Sequence, residues 1–327
     1  MSRAAKRRAG ASDLVVLRGK RPLARWPEAW YPAARSVDLS PGSSTSGEVA
    51  GLPYVLFRTA GGALSALDAH CPHMGAHLRH ARVVGEDLLC PLHHWTIGSD
   101  GRCRGKGASE RHRAREWPVA ERFGLVFVYA GAGEPPPLPQ PEAADGYAWT
   151  TGTPIELDTS WHAMMVNGFD LSHLRAVHHR ALVEPCELTR PTERTLRLRY
   201  TSRVTRGGGL SDWVMRWIAR DRIKVRQTCH GPTIVVESDL GRAKTAAVLG
   251  LVEIDGRVRA YGAFGTRRGG PFVRLRLWIA RWLFTAFLRK DFAVVEDMRL
   301  DVDDVEDEGV NAVASFLRSL PEVARGR

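Results

Sequence analysis

The chain has 327 residues, 44% of them apolar and 25% charged, the values of a globular protein long enough for two domains of ordinary size. Its five cysteines form no disulfide framework, which favours a reducing compartment, and no uncharged run reaches the roughly 18–20 residues of a membrane span. The formal charge of +11 is spread along the chain without a recognition motif, so a cytoplasmic protein that binds no nucleic acid is expected.

Residues 1–25, with Arg3, Lys6, Arg7 and Arg8, read as a basic disordered tail. The apolar stretch 14–17 is too short for a signal peptide. Residues 54–57 and 63–67, joined through Gly61-Gly62, read as a hairpin, and Leu125-Val-Phe-Val-Tyr129 as a buried strand. The span 26–130 is therefore expected to be an all-β unit with Cys/His loops inserted in it. Residues 131–141 hold five prolines within seven positions, which neither a helix nor a central strand tolerates. They predict a semi-rigid linker. In the remaining domain, 142–327, residues 160–182 and 273–300 read as helices and 195–201, 233–237 and 246–253 as strands. The fold class is α+β with an antiparallel sheet.

Residues 71–95, CPHMGAHLRHARVVGEDLLCPLHHW, carry the first candidate site. Cys71 and His73 form a C-x-H pair, and Cys90 and His93 a C-x-x-H pair, with sixteen residues between them. Zinc clips usually pair like ligands, whereas here each loop offers one thiolate and one imidazole. That mixture suits a [2Fe–2S] cluster with both cysteines on one iron and both histidines on the other. His94 is the alternative to His93, and His70, His77 and His80 read as ordinary surface or hydrogen-bonded side chains.

With the continuation Trp95-Thr-Ile-Gly-Ser-Asp-Gly101, these loops resemble those of Rieske-type non-haem iron oxygenases, the ring-hydroxylating oxygenase α subunits. The resemblance implies a Rieske domain followed by a catalytic helix-grip (START-like) domain. Downstream, Asn167-Gly-Phe-Asp170-Leu-Ser-His173-Leu-Arg-Ala-Val-His178-His179 is similar to the family's mononuclear iron motif. By that resemblance His173 and His178 are ligands, with His179 the alternative to His178. Asp170 is the carboxylate that relays electrons between centres; on a helix it would share a face with His173. The carboxylate ligand is expected at Asp291, five residues before Glu296, with Asp297 the alternative.

The resemblance further implies an α-only terminal oxygenase, a homotrimer, that takes electrons from NAD(P)H through a separate ferredoxin or reductase. It would use O2 to hydroxylate, demethylate or desaturate an apolar, ring-containing small molecule, as a mono- or dioxygenase. No flavin or nicotinamide fingerprint occurs in the sequence. The other readings are a Rieske electron carrier without oxygenase activity and a zinc-stabilised lipid-binding module. Segments 212–220 and 273–290 pair tryptophan with arginine, and Arg274, Arg281 and Arg289 recur every seven or eight residues. This suits a helix packed on the sheet, and also a peripheral membrane contact.

Overall fold

The computed structural model describes residues 22–205, 209–219, 222–303 and 305–324. Its N-terminal half is built from β1 (Ala29–Arg35), β2 (Ser43–Val49), β3 (Leu52–Arg58), β4 (Leu64–Asp68), β5 (Arg82–Val84), β6 (Asp87–Leu89), β7 (Thr96–Ile97), β8 (Cys103–Arg104), β9 (Glu116–Trp117), β10 (Val119–Arg122) and β11 (Leu125–Ala130). They form three small sheets, ordered β1-β11-β10, β2-β3-β4-β9 and β5-β6-β7-β8. The expected hairpin is β3–β4, and the LVFVY run lies in β11, buried at every position. Residues 131–141 contain no helix or strand.

The second half comprises β12 (Tyr147–Thr151), β13 (Ile155–Leu157), α1 (Trp161–Phe169), α2 (Leu171–Ala176), β14 (Arg180–Leu182), β15 (Glu187–Thr192), β16 (Thr195–Val204), α3 (Leu210–Ala219), β17 (Ile223–Cys229), β18 (Thr233–Asp239), β19 (Lys244–Ile254), β20 (Arg257–Arg267), α4 (Val273–Val295) and α5 (Glu308–Ser319). Its antiparallel sheet runs β12-β20-β19-β18-β17-β16-β14, with β13 on β20 and β15 on β16. The long α4 lies against β20, β12 and α1, with Ala280, Leu283, Phe292 and Val295 inward, which is the helix-grip arrangement.

Three expectations need correction. The helix placed over 160–182 is two short helices and a strand, because Asp170 ends α1 and caps α2. The helix over 273–300 stops at Val295, where Asp297 takes a positive φ of 57°. Finally, the tail expected to extend to residue 25 lies outside the described residues only as far as 21. Leu23 and Ala24 are buried in the core of the second half, against α1.

His162 secures that docked segment by donating Nε2–H to the Ala24 carbonyl at 3.0 Å. Burial lowers its pKa from 6.5 to about 4, so the folded state holds it neutral where the unfolded chain would be protonated. Stability from this group is present above pH 6.5 and is lost as pH falls toward 4, by ~3 kcal/mol at most. His162→Gln, which keeps a donor but does not titrate, should flatten the loss of thermal stability between pH 6.5 and 4. An unchanged pH profile would show that His162 contributes nothing.

The two halves are not separate bodies. Trp30, Tyr31, Val126 and Val128 share one apolar cluster with Val235, Val248, Val252 and Tyr261 of the large sheet, and Thr233 Oγ1 donates to the Trp30 carbonyl at 3.4 Å.

Candidate metal centres

Both cysteine loops fold into the same turn. In the first, Cys71 N–H donates to the Ala76 carbonyl at 2.9 Å and Gly75 N–H to the Cys71 carbonyl at 2.8 Å. In the second, Cys90 N–H donates to the Trp95 carbonyl at 2.8 Å and His94 N–H to the Cys90 carbonyl at 3.1 Å. Gly75 and His94 thus hold equivalent positions, both left-handed with φ of 76° and 57°. Glycine suits that conformation; His94 occupies it as the turn residue. This sets His94 apart from His93, whose ring lies 4.8 Å from that of His73.

Cys71 and Cys90 are buried, close enough for Cys90 to act on the Cys71 thiol. Burial pushes the Cys71 thiol up, opposed by hydrogen bonds from the His73 and Met74 amides. His73 stacks on Trp95 at 4.0 Å with ring planes 3° apart, and His112 meets the Trp95 face edge-on at 5.1 Å. Gly105 passes so close to Trp95 that a Cβ there would fall 2.4 Å from the indole. Neither His112 nor Gly105 stands out in the sequence, because both lie outside the two motifs. Two buried sulfurs beside two converging imidazoles, with amides aimed at a sulfur, are a donor set that fits a [2Fe–2S] cluster. His77 Nδ1 accepts from Arg79 N–H and its ring meets His70 edge-on, so both rings are engaged elsewhere.

The second cluster joins distant parts of the chain. One candidate ligand atom from each of His173, His178 and Asp291 lies within 4.8 Å of the others. Asp291 Oδ1 stands 2.7 Å from His178 Nε2 and 3.3 Å from His173 Nε2. Asn167 of α1, a residue to which the sequence reading gave no role, donates Nδ2–H to the same oxygen at 2.9 Å. Asp297, by contrast, is exposed and turned to the Asp158 carbonyl through its amide. His179 has φ of 52° and bonds to Thr205 through its carbonyl.

Asp170 acts differently from the shared helix face expected of it. Its carboxylate caps α2, accepting from the Ser172 and His173 amides at 2.8 and 3.2 Å. The contact to the imidazole comes from its backbone carbonyl, close to His173 Nδ1. A carbonyl only accepts, so Nδ1 carries a proton, and Nε2 is the ring nitrogen turned to Asp291.

The electrostatics suit a cation. Burial opposes ionisation of Asp291, but hydrogen bonds from His173 and His178 hold it below the usual carboxylate range. Burial also holds His178 below its ordinary value, in the neutral form that ligates. At His173 burial acts in the same direction, but the hydrogen bond and attraction of Asp291 outweigh it and raise the pKa. His178 Nδ1 is buried without a hydrogen-bond partner, and its ring stacks on Phe287 at 3.6 Å. Two imidazoles and one carboxylate, leaving room for further ligands, fit a mononuclear Fe(II).

Asp291 also borders an internal cavity whose empty space, counted out to solvent, is about 1160 Å³. Its walls are mostly apolar, with Met164, Met215, Leu283, Phe284 and Phe287 among them. Above it, α3 turns its apolar face outward: Leu210, Trp213 and Trp217 are exposed while Asp212 is buried. On α4, Leu275 and Trp278 are exposed beside Arg274 and Arg281. Among the described residues, no helix is long and apolar enough to cross a membrane.

Residues 29–119 match the family model described as "Rieske [2Fe-2S] domain". Over 148 residues the chain is 31% identical to the 3-ketosteroid-9-alpha-monooxygenase oxygenase component of Mycolicibacterium smegmatis, covering 44% of this chain and 38% of that protein. Over 169 residues it is 27% identical to the cholesterol 7-desaturase of Drosophila melanogaster, covering 48% and 39%. The matches thus span well under half the length of these relatives. Among solved structures, dicamba monooxygenase bound to dicamba superposes with a TM-score of 0.70 at 18% identity, covering 89% of this chain and 97% of that one. The complex between oxygenase and ferredoxin in carbazole 1,9a-dioxygenase gives 0.66 at 16% identity, covering 90% and 88%. These likenesses establish a shared fold over nearly the whole chain.

Proposed function

We propose that this chain, which matches the Rieske [2Fe-2S] domain over residues 29–119, belongs with the Rieske-type oxygenase α subunits and is a terminal oxygenase oxidising an apolar, ring-containing small molecule. The observation that carries this reading is the His173–His178–Asp291 group, whose Asp291 lines an apolar cavity, in the same chain as the Cys71/His73 and Cys90/His93 loops. A bound [2Fe–2S] cluster and Fe(II) would supply one-electron transfer and activation of O2. The first four residues would hold the cluster; His173, His178 and Asp291 would hold the iron.

The protein's own contribution is orientation and exclusion of water. Asn167 fixes the Asp291 carboxylate, the Asp170 carbonyl fixes the His173 tautomer, and Phe287 fixes the plane of the His178 ring. The apolar walls favour a hydrophobic ligand and keep bulk water from the reacting centre. Asp170 is the relay group of this reading. The division of labour follows: residues 26–130 as Rieske domain, 131–141 as linker, 142–327 as catalytic domain.

The same reading includes a ferredoxin or reductase as electron donor fed by NAD(P)H, a cytoplasmic location and a homotrimer. The carbazole 1,9a-dioxygenase complex is an oxygenase paired with a ferredoxin, which supports such a donor. The outward Trp213, Trp217 and Trp278 beside Arg274 and Arg281 support a peripheral contact with anionic lipid.

Purified, anaerobically reconstituted protein should be red-brown, hold roughly three irons per chain, and give a Rieske EPR signal after dithionite. With a surrogate reductase and NADH it should oxidise apolar ring compounds. A colourless, EPR-silent protein would refute the reading; a coloured protein with about two irons and no turnover would make it an electron carrier.

A further inference from the structure

Arg180, the first residue of β14, follows the His178-His179 pair directly and is only 6% exposed. It borders the cavity described above, among walls that are otherwise mainly apolar. Its Nη1 is buried without a hydrogen-bond partner, and no carboxylate of the described residues forms an ion pair with it. A guanidinium stays charged in any protein environment, and burying one unpaired is costly.

The surrounding charges do not neutralise it. Asp212 is close enough to act on Arg180 electrostatically, but its Oδ2 receives the Lys290 ammonium at 2.9 Å. Asp291 is committed to His173, His178 and Asn167. Tyr200, on the same wall, is no anion, because burial pushes its hydroxyl up to about 12. Arg180 and Lys290 together carry two positive charges against the single negative charge of Asp212. The cavity wall therefore keeps one buried cation, with donors free, in the space a substrate would fill.

We propose that Arg180 receives a carboxylate borne by an otherwise apolar substrate, so that this cavity selects amphipathic acids over neutral hydrocarbons. A carboxylate presents two oxygens to the planar guanidinium fork and supplies the missing charge. The apolar body of such an acid would lie among Leu283, Phe284 and Phe287. That the acid is a substrate rests on the oxygenase reading; that it binds does not.

The test uses full-length protein whose iron content and colour are recorded first, so that failure of the oxygenase reading shows separately. Binding of 1-pyrenebutyrate and of its methyl ester is then followed by fluorescence titration. The wild-type protein should bind the acid at least about tenfold more tightly than the ester, the margin of a hydrogen bond to a charged group. Arg180→Gln should abolish that preference while ester affinity stays within about threefold. Should that variant not fold, Arg180→Lys keeps the charge without the fork, and the preference should fall at least threefold. Equal affinity of the wild type for acid and ester, binding of neither probe, or a preference unchanged in the variants would overturn the proposal.

Discussion

A protein carrying Asp291→Ala is expected to keep its red-brown colour and about two irons per chain, lose the third iron, and oxidise substrate at least a hundredfold more slowly. Outer partners of metal ligands typically cost 10–100-fold when removed, and a ligand itself costs more. Asp291 also organises its neighbours: one of its oxygens meets Asn167, His173 and His178 within 3.3 Å. Its removal leaves three buried polar groups without that partner, which should lower stability by ~1–3 kcal/mol. Asp291→Asn keeps the shape while discarding the charge, so it should restore much of the stability and none of the iron. Iron analysis with thermal unfolding separates the two effects. Three irons and full turnover in both variants would remove Asp291 from the ligand set, while the Rieske loops would be untouched.

Asp170→Asn should do the opposite: both metals stay, and turnover stops. Asparagine caps a helix as well as aspartate does, so the amides of Ser172 and His173 keep an acceptor and α2 stays in place. The backbone carbonyl that holds His173 Nδ1 is also unaltered. What disappears is one negative charge beside His173, so lost activity would read charge rather than collapse of the site. Asp170→Ala serves as the contrast, since it also removes the cap, at about 1 kcal/mol. The measurements are iron content, the EPR signal and single-turnover rate. Normal turnover in Asp170→Asn would refute a relay through this carboxylate.

The cysteine loops were legible because their chemistry and their turn are written in consecutive residues. Even there the sequence left His93 and His94 open, and only the matching turns show that His94 stands where Gly75 does. The second cluster was legible in part. His173 and His178 sit in one short motif, but the single helix drawn through them was an error of local reasoning. A stretch without proline reads as continuous, whereas the Asp170 cap divides it and the left-handed His179 turns it into β14. Asp291 could be proposed from its spacing to Glu296, while its partner Asn167 could not. Nothing within 124 positions of sequence records their meeting. Arg180 was hidden for the same reason: its burial and lack of partners exist only once β14, α3 and α4 enclose the cavity. α5 was not among the expected helices, although Asp307 is its N-cap.

The apolar seam joining Trp30 and Val128 to Val248 and Tyr261 makes the proline stretch a strap rather than a hinge. A nick within it would leave both halves adhering, since parting them would wet a shared interior. The span between the two cysteine loops and the histidine cluster is accordingly a built-in length, like that between piers of one bridge. A head that swings on the proline stretch is therefore no part of this architecture, and the separation of the two groups is set by the shared interior.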